Sequence, residues 1–262
     1  MRSIALFAIA TISLCLVTPA VAASPFDGKW LADLKSSKYS QKPYKMVLAD
    51  GTYHCLTCAP PYKIPADGVV HKVIGNSVFD AASVTVIDPQ TARFKRYRGG
   101  KQISEVTDTI SPDGSTMSWR ATFLATANGI PVESSGTWAR VAPGPAGSHV
   151  VSGSWRDTGF EAPAESLAMT LKITGGLVNM SYGTGESFAA RFGGAPAPQI
   201  GDPTKTMIRV TRLGPNAFQE RDYRAGKLVS VYTFRITGPK TMTVRSQDTE
   251  RARTEEYTYL KQ

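Results

Sequence analysis

Four short patterns occur twice in this chain, in the same order and at nearly constant distance. This duplication limits the possible folds more than any other feature. Gly28-Lys29-Trp30 returns as Gly153-Ser154-Trp155, displaced by 125 residues. Ile74-Gly75-Asn76 returns as Ile200-Gly201-Asp202, and Gly100-Lys101-Gln102-Ile103-Ser104 as Gly226-Lys227-Leu228-Val229-Ser230, both displaced by 126. Thr116-Met117-Ser118 returns as Thr241-Met242-Thr243, displaced by 125. Conserved order with a fixed offset is what a tandem duplication leaves behind. The chain therefore divides into homologous halves, 24–142 and 150–262, joined by a turn-rich linker at 143–149 that contains Pro143-Gly144-Pro145.

Within each half the apolar period is 2. Ser83-Val84-Thr85-Val86-Ile87, Ile103-Ser104-Glu105-Val106-Thr107, Met207 to Leu213, Leu228 to Phe234 and Met242-Thr243-Val244-Arg245 alternate or are β-branched, the pattern of half-buried strands. Hairpin turns are expected at Arg98-Gly99-Gly100-Lys101, Pro112-Asp113-Gly114 and Ala225-Gly226-Lys227. The stretch Ala164 to Lys172 comes nearest to a helix. The expected fold is all-β: two homologous antiparallel up-and-down barrels of roughly eight strands each, since closure removes the exposed edges of a sheet. A barrel of that size is either filled by side chains or just able to hold one small ligand. Two separately closed barrels and one intertwined structure fit the sequence equally well.

The N-terminus predicts an exported protein. Arg2 precedes an apolar run from Ile4 to Val17, and Ala20-Val21-Ala22 supplies a small-x-small cleavage site. Residues 1–22 read as a secretory signal peptide, too short to span a bilayer. Cys15 lies within the apolar run, behind Leu14 rather than a small residue, so lipidation is not expected. The mature chain is then expected in the periplasm or outside the cell, with no transmembrane segment and only Cys55 and Cys58. Charged residues make up 19% and apolar residues 42%, which excludes a disordered polyampholyte or a fibrous chain. The formal charge of +9 allows contact with anionic envelope polymers or lipid headgroups. The export signal argues against nucleic acid. Arg93 to Arg98 alternates aromatic and basic residues, and is expected to present one packed face and one solvated, basic face.

Two resemblances follow from these residues. The Gly-x-Trp opening each half resembles the first strand of lipocalin/calycin barrels. That likeness implies a Trp plugging the closed end, covered by a basic residue from a last strand. Pairing within halves puts Arg140 over Trp30 and Lys261 over Trp155. Separately, Tyr53-x-Cys55-x-x-Cys58-x-Pro60-Pro61, Pro65-Ala66-Asp67-Gly68, Ser111 to Thr116, and Pro145 to His149 leading to Ser152-Gly153-Ser154-Trp155-Arg156 resemble a family of exported bacterial tandem-repeat proteins. That family supplies no known reaction or ligand.

Cys55-Leu56-Thr57-Cys58 can be a disulfide, a redox dithiol or half a metal site. In an oxidising compartment the disulfide is the simplest reading. A metal site would recruit His54 and His71, but no second Cys pair exists, so neither metal nor cofactor is expected. Gly185-Glu186-Ser187-Phe188-Ala189 is not a nucleophile elbow, and the sequence gives no sign that any two of Asp67, Asp80, Glu105, Asp222, Glu255 and Glu256 converge. The halves differ most at 53–71, which makes His54, Tyr62 and His71 candidate ligand contacts. Trp119 and Phe123 join them as aromatics that serve the core first and a cavity wall second. The leading expectation is a non-enzymatic binder of a small apolar or amphipathic ligand, held at a barrel mouth or between the halves. The alternatives are an envelope interaction protein with a basic surface, or a hydrolase or isomerase without a familiar motif.

Overall fold

A computed structural model describes residues 23–262; the expected signal peptide lies outside them. Turn residues cut the chain into strands β1 (Gly28–Lys38), β2 (Tyr44–Ala49), β3 (Thr52–Cys55), β4 (Tyr62–Pro65), β5 (His71–Lys72), β6 (Ala81–Asp88), β7 (Thr91–Arg98), β8 (Lys101–Ile110), β9 (Thr116–Phe123) and β10 (Val132–Pro143). The second set is β11 (Gly153–Glu161), β12 (Ala168–Thr174), β13 (Leu177–Tyr182), β14 (Ser187–Arg191), β15 (Ala197–Pro198), β16 (Met207–Gly214), β17 (Ala217–Arg224), β18 (Lys227–Gly238), β19 (Thr241–Asp248) and β20 (Arg253–Lys261). The expected hairpins form at Gly99-Gly100 and Ala225-Gly226, where all four residues have positive φ as tight two-residue turns require. Ala164–Leu167 makes a single 3₁₀ turn and Ala168–Thr174 is a strand, so the one helix-like stretch is largely β. Its buried Ala168, Met169, Leu171 and Ile173 pack against a sheet, where period 2 prevails.

The twenty strands form two nearly closed antiparallel barrels of ten strands each. Ten replace the roughly eight expected because the two-residue strands β5 and β15 are too short to show a period. Barrel one has the order β4-β3-β2-β11-β10-β9-β8-β7-β6-β5, and barrel two the order β14-β13-β12-β1-β20-β19-β18-β17-β16-β15. Barrel one is drawn shut by an Asp67–Thr85 bridge, with Gly68 donating its N–H to the Val84 carbonyl at 2.9 Å. Barrel two is drawn shut by bridges from Ser187 to Ile200 and from Phe192 to Val210. Each barrel has its own apolar core, built around Trp155 in barrel one and Trp30 in barrel two.

The barrels exchange their first strands. β1 leaves its own half and inserts between β12 and β20, pairing Trp30 with Met169 and Lys261. β11 inserts between β10 and β2, pairing Trp155 with Arg140 and Tyr44. The linker is therefore a hairpin connection inside barrel one. Residues 144–152 turn β10 straight back along itself, a local closure with little chain entropy to lose. The molecule is the intertwined alternative that the sequence leaves open.

Exchange also corrects the expected caps. Arg140 lies 4.0 Å from the ring centre of Trp155, and Lys261 lies 5.4 Å from that of Trp30. Each cation serves the tryptophan of the other half because the tryptophan-bearing strands have changed places. Both indoles are fully buried and donate to the carbonyl four residues back, Trp30 to Phe26 at 2.8 Å and Trp155 to Val151 at 2.9 Å. The glycines of the two motifs have φ of +132° at Gly28 and +140° at Gly153, a region that L side chains rarely adopt, and a Cβ on Gly153 would also meet the Ala142 carbonyl oxygen at 2.5 Å. A Cβ on Gly28 would sit 2.8 Å from Lys261 Cε, and one on Gly153 2.9 Å from Arg140 Nη1.

Further contacts fix the barrels against each other. Arg253 on β20 pairs with Asp157 on β11 at 2.7 Å. Ser77 of the first half donates to Glu250 at 2.8 Å and accepts from Arg224 at 3.3 Å. Asn128 donates to Gly183 and Thr184 carbonyls, both at 3.1 Å. Among the described residues no helix is long and apolar enough to cross a membrane.

Candidate functional site

The equivalent strands β7 and β17 decide what each interior contains. In barrel two, Phe218 on β17 faces Phe234 on β18, and their rings stack at 4.5 Å. Phe26 and Phe192 close around Phe218 at 4.9 and 5.9 Å, so the end capped by Trp30 is filled. At the matching register of barrel one, Ala92 faces Asp108. Two phenyl rings are absent there, and a cavity of about 190 Å³ lies within the barrel. Tyr44, Tyr53, Tyr62, Phe94 and Trp138 line it around the Asp108 carboxyl group. Burial raises Asp108 to about 7, against the opposing charge of Arg96. The Tyr44 and Tyr53 hydroxyls are 2.9 Å apart.

Cys55 and Cys58 form the expected disulfide, with sulfurs 2.03 Å apart. Cys55 Sγ lies 3.1 Å from the Tyr44 hydroxyl, so the bridge pins the β3–β4 connection against the aromatic wall of the cavity.

One step further along β7 and β17 the chemistry inverts. Phe94 and Arg96 in barrel one correspond to Glu220 and Asp222 in barrel two. Arg96, Glu220 and Asp222 reach a second cavity, of about 510 Å³, at the junction of the barrels. Barrel one contributes Arg96, Ile103 and Phe123 to it; barrel two contributes Tyr182, Tyr232, Tyr257, Tyr259, Glu220 and Asp222. Arg96 lines this cavity, the interior of barrel one, and a third cleft of about 630 Å³ between the barrels. A larger depression, about 1430 Å³, is an open groove along β1, β10 and β11 that gathers none of these buried carboxyl groups.

Glu220 and Asp222 are 2% and 7% exposed. Two residues apart on one strand, they project to the same face. Burial raises both carboxyl groups, and the negative charge of Asp222 raises Glu220 further; Tyr182 works against that rise, as Arg224 does for Asp222. Oε2 of Glu220 and Oδ1 of Asp222 have no hydrogen-bond donor. Two such groups on one strand face cannot both ionise readily. Burial also raises the surrounding phenols, Tyr259 to about 12. The tyrosines are therefore neutral donors.

The expected site residues separate into two groups. Tyr62 and Trp119 line the interior of barrel one, and Phe123 lines both that cavity and the junction. His71 sits on the surface, 2.9 Å from Asp67, and His54 lies on β3 and lines none of these cavities. The histidines and the aromatics are not brought together. No group of three or more metal-binding side chains converges among the described residues. The basic cluster also divides differently from the expectation. Arg96 shares the inward face with Phe94, because residues two apart on a strand point the same way. Arg93 and Lys95 face outward and meet Glu105 at 3.3 and 3.4 Å.

Sequence reasoning missed Arg96, Asp108, Glu220, Tyr182, Tyr257 and Tyr259. The available signal was Phe218-x-Glu220-x-Asp222, acids continuing the inward phase of an alternating strand. No family model matches the sequence, and no curated protein is detectably similar to it.

Proposed function

We propose that this chain is an exported, non-enzymatic binding protein for a small amphipathic ligand seated at the junction of the two barrels. The cavity of about 510 Å³ carries this reading. It lies within the volume range of small-molecule sites, and aromatic walls with a few buried polar groups are the composition such sites have. The barrel architecture and the tandem halves are also compatible with the exported family that the sequence resembles. The exposed basic surface offers less support for binding an anionic polymer, because Arg251 and Arg253 are engaged by Asp248 and Asp157.

Protein expressed with its own leader and analysed by native mass spectrometry is the test. The expected result is a mature chain beginning near Ala23 that carries a bound organic molecule released on denaturation. A bare chain that also takes up no fluorescent apolar dye would overturn the reading. The buried acid pair Glu220 and Asp222 favours one second reading, acid–base catalysis by a hydrolase or isomerase. Turnover of any screened substrate that is lost in Glu220→Gln would establish it in place of simple binding.

A further inference from the structure

The acid pair raises a question that the binding reading alone does not answer. Burying two carboxyl groups side by side is unfavourable unless something compensates them. Barrel one shows that the scaffold does not require them, since its β7 carries Phe94 and Arg96 at the same register. Among the described residues no salt bridge reaches Glu220 or Asp222, and each has an oxygen without a donor.

Two cations, Arg96 and Arg224, and two further acids, Asp202 and Glu186, line the cavity beside the pair, and neither cation forms a salt bridge with it. Arg224 donates to Thr206 Oγ1 at 3.1 Å and to Ser77 Oγ at 3.3 Å. The Arg96 guanidinium lies over the Phe79 ring at 5.4 Å. Asp202 is satisfied by the Thr204 hydroxyl at 2.6 Å and the Thr206 amide at 2.9 Å. Glu186 accepts a short hydrogen bond from Thr184 Oγ1. Glu220 and Asp222 thus keep unpartnered oxygens in a cavity that Tyr182, Tyr232, Tyr257 and Tyr259 also line. Buried carboxylate with aromatic faces is the environment that stabilises an organic cation, through charge pairing and the ring quadrupoles together.

We infer that the junction cavity takes an amphipathic ammonium ion, whose charged head pairs with the unpartnered oxygens of Glu220 and Asp222 and whose apolar body lies against the tyrosines. This rests on the small-ligand reading and names its chemical class. Binding balances as one ammonium ion taken up and one proton released to solvent, leaving both carboxyl groups ionised.

Three small probes of one skeleton test it by calorimetry: phenethylamine, phenethyl alcohol and hydrocinnamate, each titrated into the full mature protein. The amine is expected to bind at least about tenfold more tightly than the other two. Its affinity should increase as pH rises from about 5 to about 8, with proton release seen as a buffer-dependent heat. Glu220→Gln and Asp222→Asn should each reduce amine affinity by about tenfold or more and leave the alcohol within roughly twofold. Should both variants fail to fold, the three probes on the wild-type protein decide alone. Equal or weaker binding of the amine overturns the inference while alcohol or hydrocinnamate binding leaves the small-ligand reading standing. Failure of all three at millimolar concentration, together with no dye uptake, overturns both.

Discussion

The two barrels repeat one strand pattern, yet they use their interiors in opposite ways. Barrel two stacks Phe218 on Phe234 and is filled at its capped end; barrel one has Ala92 facing Asp108 there and is hollow. Nearer the junction, barrel one presents Phe94 and Arg96 where barrel two presents Glu220 and Asp222. The strands, turns and tryptophan plugs are common to both. The comparison teaches that the scaffold is specified by period, glycines and plugs, while the inward positions of two equivalent hairpins are free to change volume and charge. The first half's distinctive 53–71 segment contributes Tyr53 and Tyr62 to its own cavity, but the junction chemistry comes from strand interiors.

The sharpest way to break this comparison is to empty the filled barrel. Phe234→Ala removes half of the stacked pair and is expected to destabilise the protein by about 3–5 kcal/mol in urea unfolding. A loss under about 1 kcal/mol would show that the stack does not fill barrel two.

The hollow barrel should instead reveal itself through pH. Asp108 sits at about 7 in the folded chain, above its ordinary 3.8. Between those values the native state keeps a proton that the unfolded chain has released. Stability therefore falls as pH rises through that window and levels off above it. Asp108→Asn removes the titration. It should match wild type near pH 4 and exceed it by on the order of 4 kcal/mol above pH 7, measured by unfolding across the series.

Only barrel one carries a disulfide clip. Replacing both Cys55 and Cys58 by Ala should cost about 2 kcal/mol, the low end for so small a loop. Thermal unfolding with and without reductant checks this, and an unchanged midpoint would remove the clip from the comparison.

The smallest contrast concerns the plugs. Arg140 lies closer to its ring and also donates to the Ser152 and Val150 carbonyls at 2.8 and 2.7 Å. Arg140→Ala should lose about 2 kcal/mol and Lys261→Ala under about 1 kcal/mol. Equal losses would mean that the plug, not the cation above it, sets the stability of each barrel end.

Much of the architecture was legible in the sequence. Alternation marked the strands, Gly-Gly and Ala-Gly marked the tight turns, and the doubled Gly-x-Trp marked the two plugged ends. Cys55 and Cys58, three residues apart, marked their own bridge. The functional interior was less legible. Arg96 belongs to a run of basic residues, and its inward phase shows only once Phe94 is known to point inward. The enclosure of Glu220 and Asp222 was not legible, because composition carries no information about which face of a strand is enclosed.

The sequence by itself determined that this protein is a duplicated, all-β chain with one tryptophan plug and one basic partner per half. Only the tertiary structure decided which plug meets which cation, because both first strands carry the same motif and either fits either barrel. That choice is made by the short return of β10 into β11 and by the slot this leaves for β1 beside β20. The same assembly brings the two barrels together at the junction. There Glu220 and Asp222 become a buried pair that resists double ionisation, because dehydration and mutual repulsion arise only when the fold removes water from around them.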